Sequence, residues 1–328
     1  MSGQRQWTAD VELTTDEELV AEIRELKQQR QALILAHNYQ RPEVQEVADE
    51  VGDSLALARA AMQTDAKVIV FAGVHFMAET AAILNPDKQV LLPDLLAGCS
   101  LADTIDAIQL RVWKAEHPGA VVVSYVNTSA EVKAESDYCC TSANAVAVVA
   151  AIPAEKEVLF LPDMFLGAYV QRMTGRTHMH IWMGECHVHA GIAPQDVHSV
   201  LHLHPQAELL VHPECGCSTS DLYLLADGTL PEDRTRVLST GGMLRYTRES
   251  LTEEFIVATE TGILHQLQKQ NPEKRFVAAN SRAICPFMKE ITLGKLRTAL
   301  RENRYVITVP EEIAQQAKRA IERMVAVG

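Results

Sequence analysis

The chain has 328 residues, 47% of them hydrophobic and 22% charged, an ordinary balance for a globular protein. A formal net charge of −13 argues against nucleic acid as a partner, since phosphate-backbone binding needs a basic face; small anions, which answer to local groups, stay open. No uninterrupted apolar run reaches the roughly 18 residues of a membrane span, and the start, MSGQRQWTADVELTTDEEL, is acidic without a signal peptide's apolar core, so a cytoplasmic enzyme with no membrane contact is expected.

Thr15 and Glu18 have capping-box spacing and predict a helix over 16–30. An apolar run, LILAHNY, follows at 33–39, then Gly52, Asp53 and Ser54 before an alanine-rich helix at 54–62. VIVFAG at 68–73 and VLLPDLLAGCS at 90–100, carrying Cys99, complete this first set. A second set reads VVVSYVN at 121–127, Thr141 and Ser142 opening a helix over 142–152, VLFLPD at 158–163, and Cys186. A third reads ELLVHPE at 208–214, Ser239 and Thr240, FIVATE at 255–260, and Cys285. Anchors in the first two sets are 87 or 88 residues apart; the offset to the third widens from 87 to 98 and 99. About 11 residues are therefore inserted, and LYLLADGTLPEDRTR at 222–236 is the place. Two more helices are expected at 293–303 and 310–326, the latter with Pro310 in its first turn.

A period near 90 residues is too long for a solenoid unit and suits a triplicated small domain. The repeats divide as 1–112 with the N-terminal helix, 113–200, and 201–328 with the C-terminal helices. Continuously apolar runs alternating with helices predict α/β units with small parallel sheets covered on both faces. Three such units around a pseudo-threefold axis would bring equivalent residues to one centre.

Ligands of open α/β sheets bind beyond the carboxyl ends of the strands. The first strand of each repeat ends in polar residues: His37 and Tyr39, Tyr125 and Asn127, His212 and Glu214. Hydroxyls open the next helices at Ser54, Ser142 and Thr240, where unpaired N–H groups favour an anionic substrate. Seven cysteines, an odd count without CxxC, do not read as a disulfide framework or a structural zinc knuckle. Cys139 and Cys140 read as core; Cys215 and Cys217 stay ambiguous. Cys99, Cys186 and Cys285 each follow a strand in a Gly- or Pro-containing loop and read as metal ligands. Two metals fit: zinc with a fourth ligand at His187 or His189, or a [4Fe–4S] cluster with one iron open as a Lewis acid. HExxH, GxGxxG and Walker motifs are absent. A cluster hydro-lyase and a non-catalytic zinc- or iron–sulfur-binding regulator on the same scaffold are the rival readings.

LAHNYQRPEVQ, GDSLALA, VLLPDLLAGCS, VVVSYVNTSAEVKA, TSANA, GECHVHAGI, HPEC, STGGM and CPFMKEITL together resemble the quinolinate synthase family over about residues 30–300. The resemblance implies a triangle of three-layer α/β/α domains with the active site on the central axis. It implies condensation of iminoaspartate with dihydroxyacetone phosphate to quinolinate, with loss of phosphate and two waters. It also implies a [4Fe–4S] cluster on Cys99, Cys186 and Cys285, and L-aspartate oxidase or aspartate dehydrogenase as supplier of iminoaspartate. Carried over motif by motif, the substrate-binding residues are His37, Ser54, Tyr125, Asn127, Ser142, His212, Glu214 and Thr240, with Glu214, Tyr39 and Tyr125 moving protons. Two departures stand out. Ala279 and Arg282 occupy places where some members carry a redox-switchable CxxCxxC, and STGGM replaces an STSxM-like sequence.

Overall fold

A computed structural model describes residues 15–217 and 232–327. Most of the inserted segment at 222–236 therefore lies outside the described residues. The first helix is α1 (Asp16–Arg30), and the Thr15–Glu18 capping box forms in both directions.

Three four-stranded sheets follow, all parallel. The first contains β1 (Ala32–His37), β2 (Glu50–Gly52), β3 (Val68–Ala72) and β4 (Gln89–Leu91), in the order β2-β1-β3-β4. The second contains β5 (Val121–Tyr125), β6 (Tyr138–Cys140), β7 (Val158–Leu161) and β8 (Met179–Ile181), in the order β6-β5-β7-β8. The third contains β9 (Glu208–Val211), β10 (Thr235–Val237), β11 (Glu254–Ala258) and β12 (Arg275–Ala278), in the order β10-β9-β11-β12. The same strand order three times is the structural form of the sequence repeat. The fold is thus α/β, three small parallel sheets flanked by helices. All five residues of β3 are buried, as are the four of β7, which is why these runs are apolar without alternation.

The helices correct several sequence expectations. α3 (Ser54–Gln63) begins at Ser54, and α11 (Thr240–Glu249) begins at Thr240. Their caps are the preceding residues: Asp53 accepts from Ala56 N and Ser239 from Gly242 N. The third helix of this kind, α7 (Ala145–Ala150), starts late. Ser142 sits ahead of it in a turn, where Asn144 Oδ1 accepts from Thr141 N at 2.8 Å and Thr141 Oγ1 accepts from Ala143 N at 3.2 Å. These local side-chain bonds compete with the helix and displace its start. Strands also end earlier than the apolar runs. Tyr39, Asn127, His212 and Glu214 lie in turns beyond β1, β5 and β9, and the His212–Cys215 turn closes with a 2.9 Å backbone bond.

The remaining helices that matter for the site are α4 (His75–Leu84), α5 (Ala107–Glu116), α6 (Ala130–Ala134), α8 (Met164–Thr174), α9 (His187–Ala190) and α13 (Leu293–Glu302). The last is α14 (Glu311–Ala326), for which Pro310 is the cap residue rather than the first helical one. The C-terminal elements leave the third sheet. α13 packs on α1, and residues 305–307 pair with β4 through Tyr305 N to Leu92 O at 3.0 Å and Ile307 N to Val90 O at 2.9 Å. α14 packs on α6 and β6, and Asn144 Nδ2 donates to the carbonyls of Met324 and Val327 at 2.9 Å each. Cys139 and Cys140 are fully buried in β6. Cys215 and Cys217, ambiguous from the sequence, form a disulfide with each other, two buried sulfurs brought together by the turn after Glu214. Among the described residues no helix is long and apolar enough to cross a membrane.

Candidate active site

The carboxyl ends of the three sheets open on one cleft. It is lined by His37, Tyr39 and Ser54 from the first sheet's turns, Tyr125, Asn127 and Ser142 from the second, and His212, Glu214 and Thr240 from the third. Cys99, Cys186 and Cys285 reach the same cleft from the loops after β4, β8 and β12. The repeat thus brings every residue named from the sequence to one place, Ser142 by way of a turn instead of a helix start. Val74, Phe76, Met77 and Phe287 supply apolar walls.

Two repeat-equivalent histidines are set the same way. The Tyr39 N–H donates to His37 Nδ1 at 3.1 Å, and the Glu214 N–H donates to His212 Nδ1 at 3.4 Å. With Nδ1 accepting, each ring carries its proton on Nε2, and that of His212 lies 3.2 Å from Ser142 Oγ. Burial pulls both histidines down to about 3, partly opposed by Glu214, so both are neutral donors at pH 7.

Between them lies a chain of proton-carrying groups. The Tyr125 hydroxyl donates to Glu214 Oε1, and His189 Nδ1 is 3.2 Å from Glu214 Oε2. On the far side of the ring, His189 Nε2 is 3.2 Å from the Tyr39 hydroxyl and 2.8 Å from Thr259 Oγ1, which itself bonds Tyr39 at 2.5 Å. Burial alone would raise Glu214, but His189 and His212 beside it hold it at about 2. Burial alone would lower His189, but Tyr39, Cys186 and Glu214 lift it well above its ordinary value. His189 and Glu214 are a buried ion pair. Tyr39 and Tyr125 are raised, chiefly by burial, and stay protonated.

The sequence offers His189 as a zinc ligand but not as a member of the substrate site. A signal is present: it lies three residues after Cys186 on α9, on the face where a helix aligns such pairs, and its Nδ1 is 3.2 Å from Cys186 Sγ. Glu260 also lies outside the residues expected from the sequence. It sits where the second repeat has Asp163, and is fully buried. One oxygen accepts from Cys285 N at 3.1 Å and meets Lys289 Nζ at 2.9 Å, and the other accepts from Gly262 N at 2.7 Å. It shapes the Cys285 loop. STGGM also gains a reason. A Cβ on Gly241 would lie 2.4 Å from Asp53 Oδ2, so the glycine lets the Asp53 cap of α3 approach α11.

Several residues could hold a metal. Ligand atoms of Cys186, His189 and Glu214 lie within 4.8 Å of one another. Cys99, Cys186 and Cys285 converge on the cleft from three loops. Burial, followed by Cys186, raises Cys99, and burial likewise pushes Cys285 up to about 11. Such thiols are stable as thiolates only beside a cation, so the donor set fits a thiolate-ligated metal group.

Comparison with known proteins agrees with this geometry. The family model described as quinolinate synthetase A protein matches residues 21–326. A quinolinate synthase of Mycobacterium sp. strain KMS is 60% identical over 312 residues, covering 95% of this chain and 93% of that protein. Quinolinate synthases of Thermus thermophilus and Mycobacterium tuberculosis are 57% and 56% identical, over 95% of this chain and 98% and 90% of theirs. With the match running through all three sheets and every loop of the cleft, the chain belongs to the quinolinate synthetase A protein family, a family of enzymes.

Proposed function

We propose that this enzyme is a quinolinate synthase of NAD biosynthesis, condensing iminoaspartate with dihydroxyacetone phosphate to quinolinate and releasing phosphate and two waters. Cys99, Cys186 and Cys285 would hold a [4Fe–4S] cluster. When bound, that cluster supplies a Lewis acid for hydroxyl or carboxylate oxygens of the substrate. The observation that carries the reading is the buried chain Tyr125–Glu214–His189–Tyr39 in the cleft that also gathers three thiols. Forming the ring's new carbon–carbon and carbon–nitrogen bonds and losing two waters each require protons to be moved, and this chain is a set of positioned donors and acceptors for them.

Each residue's part follows from its state. Neutral His37 and His212 offer Nε2–H groups to a carboxylate or phosphate without adding a charge that water would have to screen. Ser54 and Thr240, in the first turns of α3 and α11, place hydroxyls beside helix N–H groups that favour anions. Asn127 Oδ1 is buried without a partner, an acceptor suited to a substrate hydroxyl or amine, and Ser142 faces His212 beside it. Glu214, held near 2 by His189, is a weak base in the free protein. Two anionic substrates entering the cleft would disfavour its charge and raise it toward the range of a working base. Tyr125 then acts as the group that returns the proton, and Tyr39 with His189 does so on the other side.

Iminoaspartate hydrolyses readily, being an imine, so its supplier acts close by in the cytoplasm; L-aspartate oxidase or aspartate dehydrogenase fits that place. The test is anaerobic purification followed by iron and sulfide analysis and by assay of quinolinate from the two substrates. Four irons and four sulfides per chain with turnover are expected. An iron-replete protein that makes no quinolinate, or an active one without iron, would refute the reading.

A further inference from the structure

We propose a second metal site, for a zinc-type divalent transition ion, at His117, Glu157 and His180. His117 Nδ1 lies 2.8 Å and His180 Nε2 lies 2.6 Å from the same oxygen, Glu157 Oε1. The three ligand atoms fall within 4.8 Å of one another, and the two imidazole rings stand 4.2 Å apart. Two imidazoles and a carboxylate are a donor set for zinc, with the fourth position left to water. Tetrahedral zinc would set these atoms roughly 3.3–3.5 Å apart. The two histidine–carboxylate contacts therefore open by roughly 0.5–0.9 Å to reach it, and the Glu157 side chain is about a third exposed.

The backbone holds all three in register. Val121 N donates to the Glu157 carbonyl at 2.8 Å, tying the start of β5 to the residue ahead of β7. His180 lies on β8 opposite Leu159 of β7. His117 caps α5, and the Ala120 N–H closes the following turn on its carbonyl at 3.1 Å. The site thus gathers the α5–β5 turn, the start of β7 and the edge strand β8. It lies at the amino ends of the second sheet, about one strand length (~13 Å) from the cleft at the carboxyl ends. Half-exposed His180 gives a solvated ion direct entry. A bound ion would act as a clip on the sheet's outer edge, separate from the thiols of the cleft.

Zinc binding by the full chain, measured by calorimetry, tests this. The wild-type protein should bind one zinc more per chain than His117→Ala/His180→Ala. Glu157→Gln should weaken that equivalent by at least about 10-fold, the effect seen even for outer-shell partners of metal ligands. In Cys99→Ser/Cys186→Ser/Cys285→Ser, which removes competing thiols, the equivalent should persist. Cu(II) bound in its place should show two imidazole nitrogens by electron paramagnetic resonance and quench Trp113, whose ring lies 6.3 Å from His117. Equal zinc stoichiometry in the wild type and the histidine double variant would overturn the site, leaving the trio a hydrogen-bonded contact only. So would a zinc equivalent lost with the three cysteines and kept without the two histidines.

Discussion

Glu214→Gln keeps the size and reach of the side chain and removes its charge. The carboxylate accepts from two donors, Tyr125 O–H and His189 Nδ1–H. A carboxamide has one acceptor oxygen, so its NH₂ must face one of those donors. Retaining both contacts requires the His189 proton to leave Nδ1, which the loss of the Glu214 charge favours, since that charge helps lift His189. If one contact is lost, the cost is about 1.5–3 kcal/mol, as for a hydrogen bond to a charged group. This is less than the usual stability of about 5–15 kcal/mol, so the variant stays folded. Turnover should fall by about 10²–10⁴, the worth of a positioned acid–base group, or about 3–5 kcal/mol in the barrier. The assays are a thermal melt, iron content and quinolinate formation, run in parallel on wild type and variant. Normal iron, a modest fall in Tm and a large fall in kcat are expected. Full activity would remove Glu214 from the chemistry, as would activity that declines only in step with unfolding.

Replacing Cys99, Cys186 or Cys285 by Ser should each abolish iron retention, whereas Cys139→Ser should retain iron while losing about 1–3 kcal/mol for a hydroxyl in a fully buried strand; iron assays and urea midpoints separate the two classes. Stability should fall as pH drops from about 6.5 toward 3, because His37 and His212 are neutral when folded, pulled down to about 3, yet protonate when unfolded. The unfolded chain then binds more protons, so each histidine contributes stability present above about 6.5 and lost toward 3, with a slope near ~1.4 kcal/mol per pH unit. Urea midpoints at about pH 7 and pH 5, which span the upper part of that window, check this. A His37→Asn/His212→Asn variant should flatten the dependence; an unchanged slope would refute it. Gly241→Ala should cost about 1–3 kcal/mol by driving a methyl into the Asp53 carboxylate, and should raise the substrate KM because α3 and α11 must part.

The triplication was legible because doubly covered strands must be continuously apolar, which made VIVFAG, VLFLPD and FIVATE recognisable as one element. The site residues were legible because the carboxyl ends of parallel strands are where side chains meet a ligand. Ser142 was misplaced because Asn144 bonds back to Thr141, a local competition that helix periodicity does not record. Glu260 and Asp163 escaped notice because their value is tertiary. Glu260 matters through Cys285, 25 residues on, and Asp163 sits fully buried with one oxygen partnerless, its carboxyl raised by burial and by Glu214. The Cys215–Cys217 bond was hidden behind the general rarity of disulfides in such chains; only the turn geometry after Glu214 reveals it.

The C-terminal elements bear on how the molecule assembles. The edge of the first sheet is finished by residues 305–307, α1 is covered by α13, and the turn that presents Ser142 is pinned to the carbonyls of Met324 and Val327. The first sheet is thus completed by a segment more than 200 residues further along the chain. That sheet must wait, its β4 edge uncovered, until the segment is made. Contacts of such long sequence separation form slowly and expose the partial chain to edge pairing in the meantime. Repetition of the sequence has therefore not produced three independent folding modules. Segments that follow the third sheet complete the first two, and the Ser142 turn of the cleft is held only once they are in place.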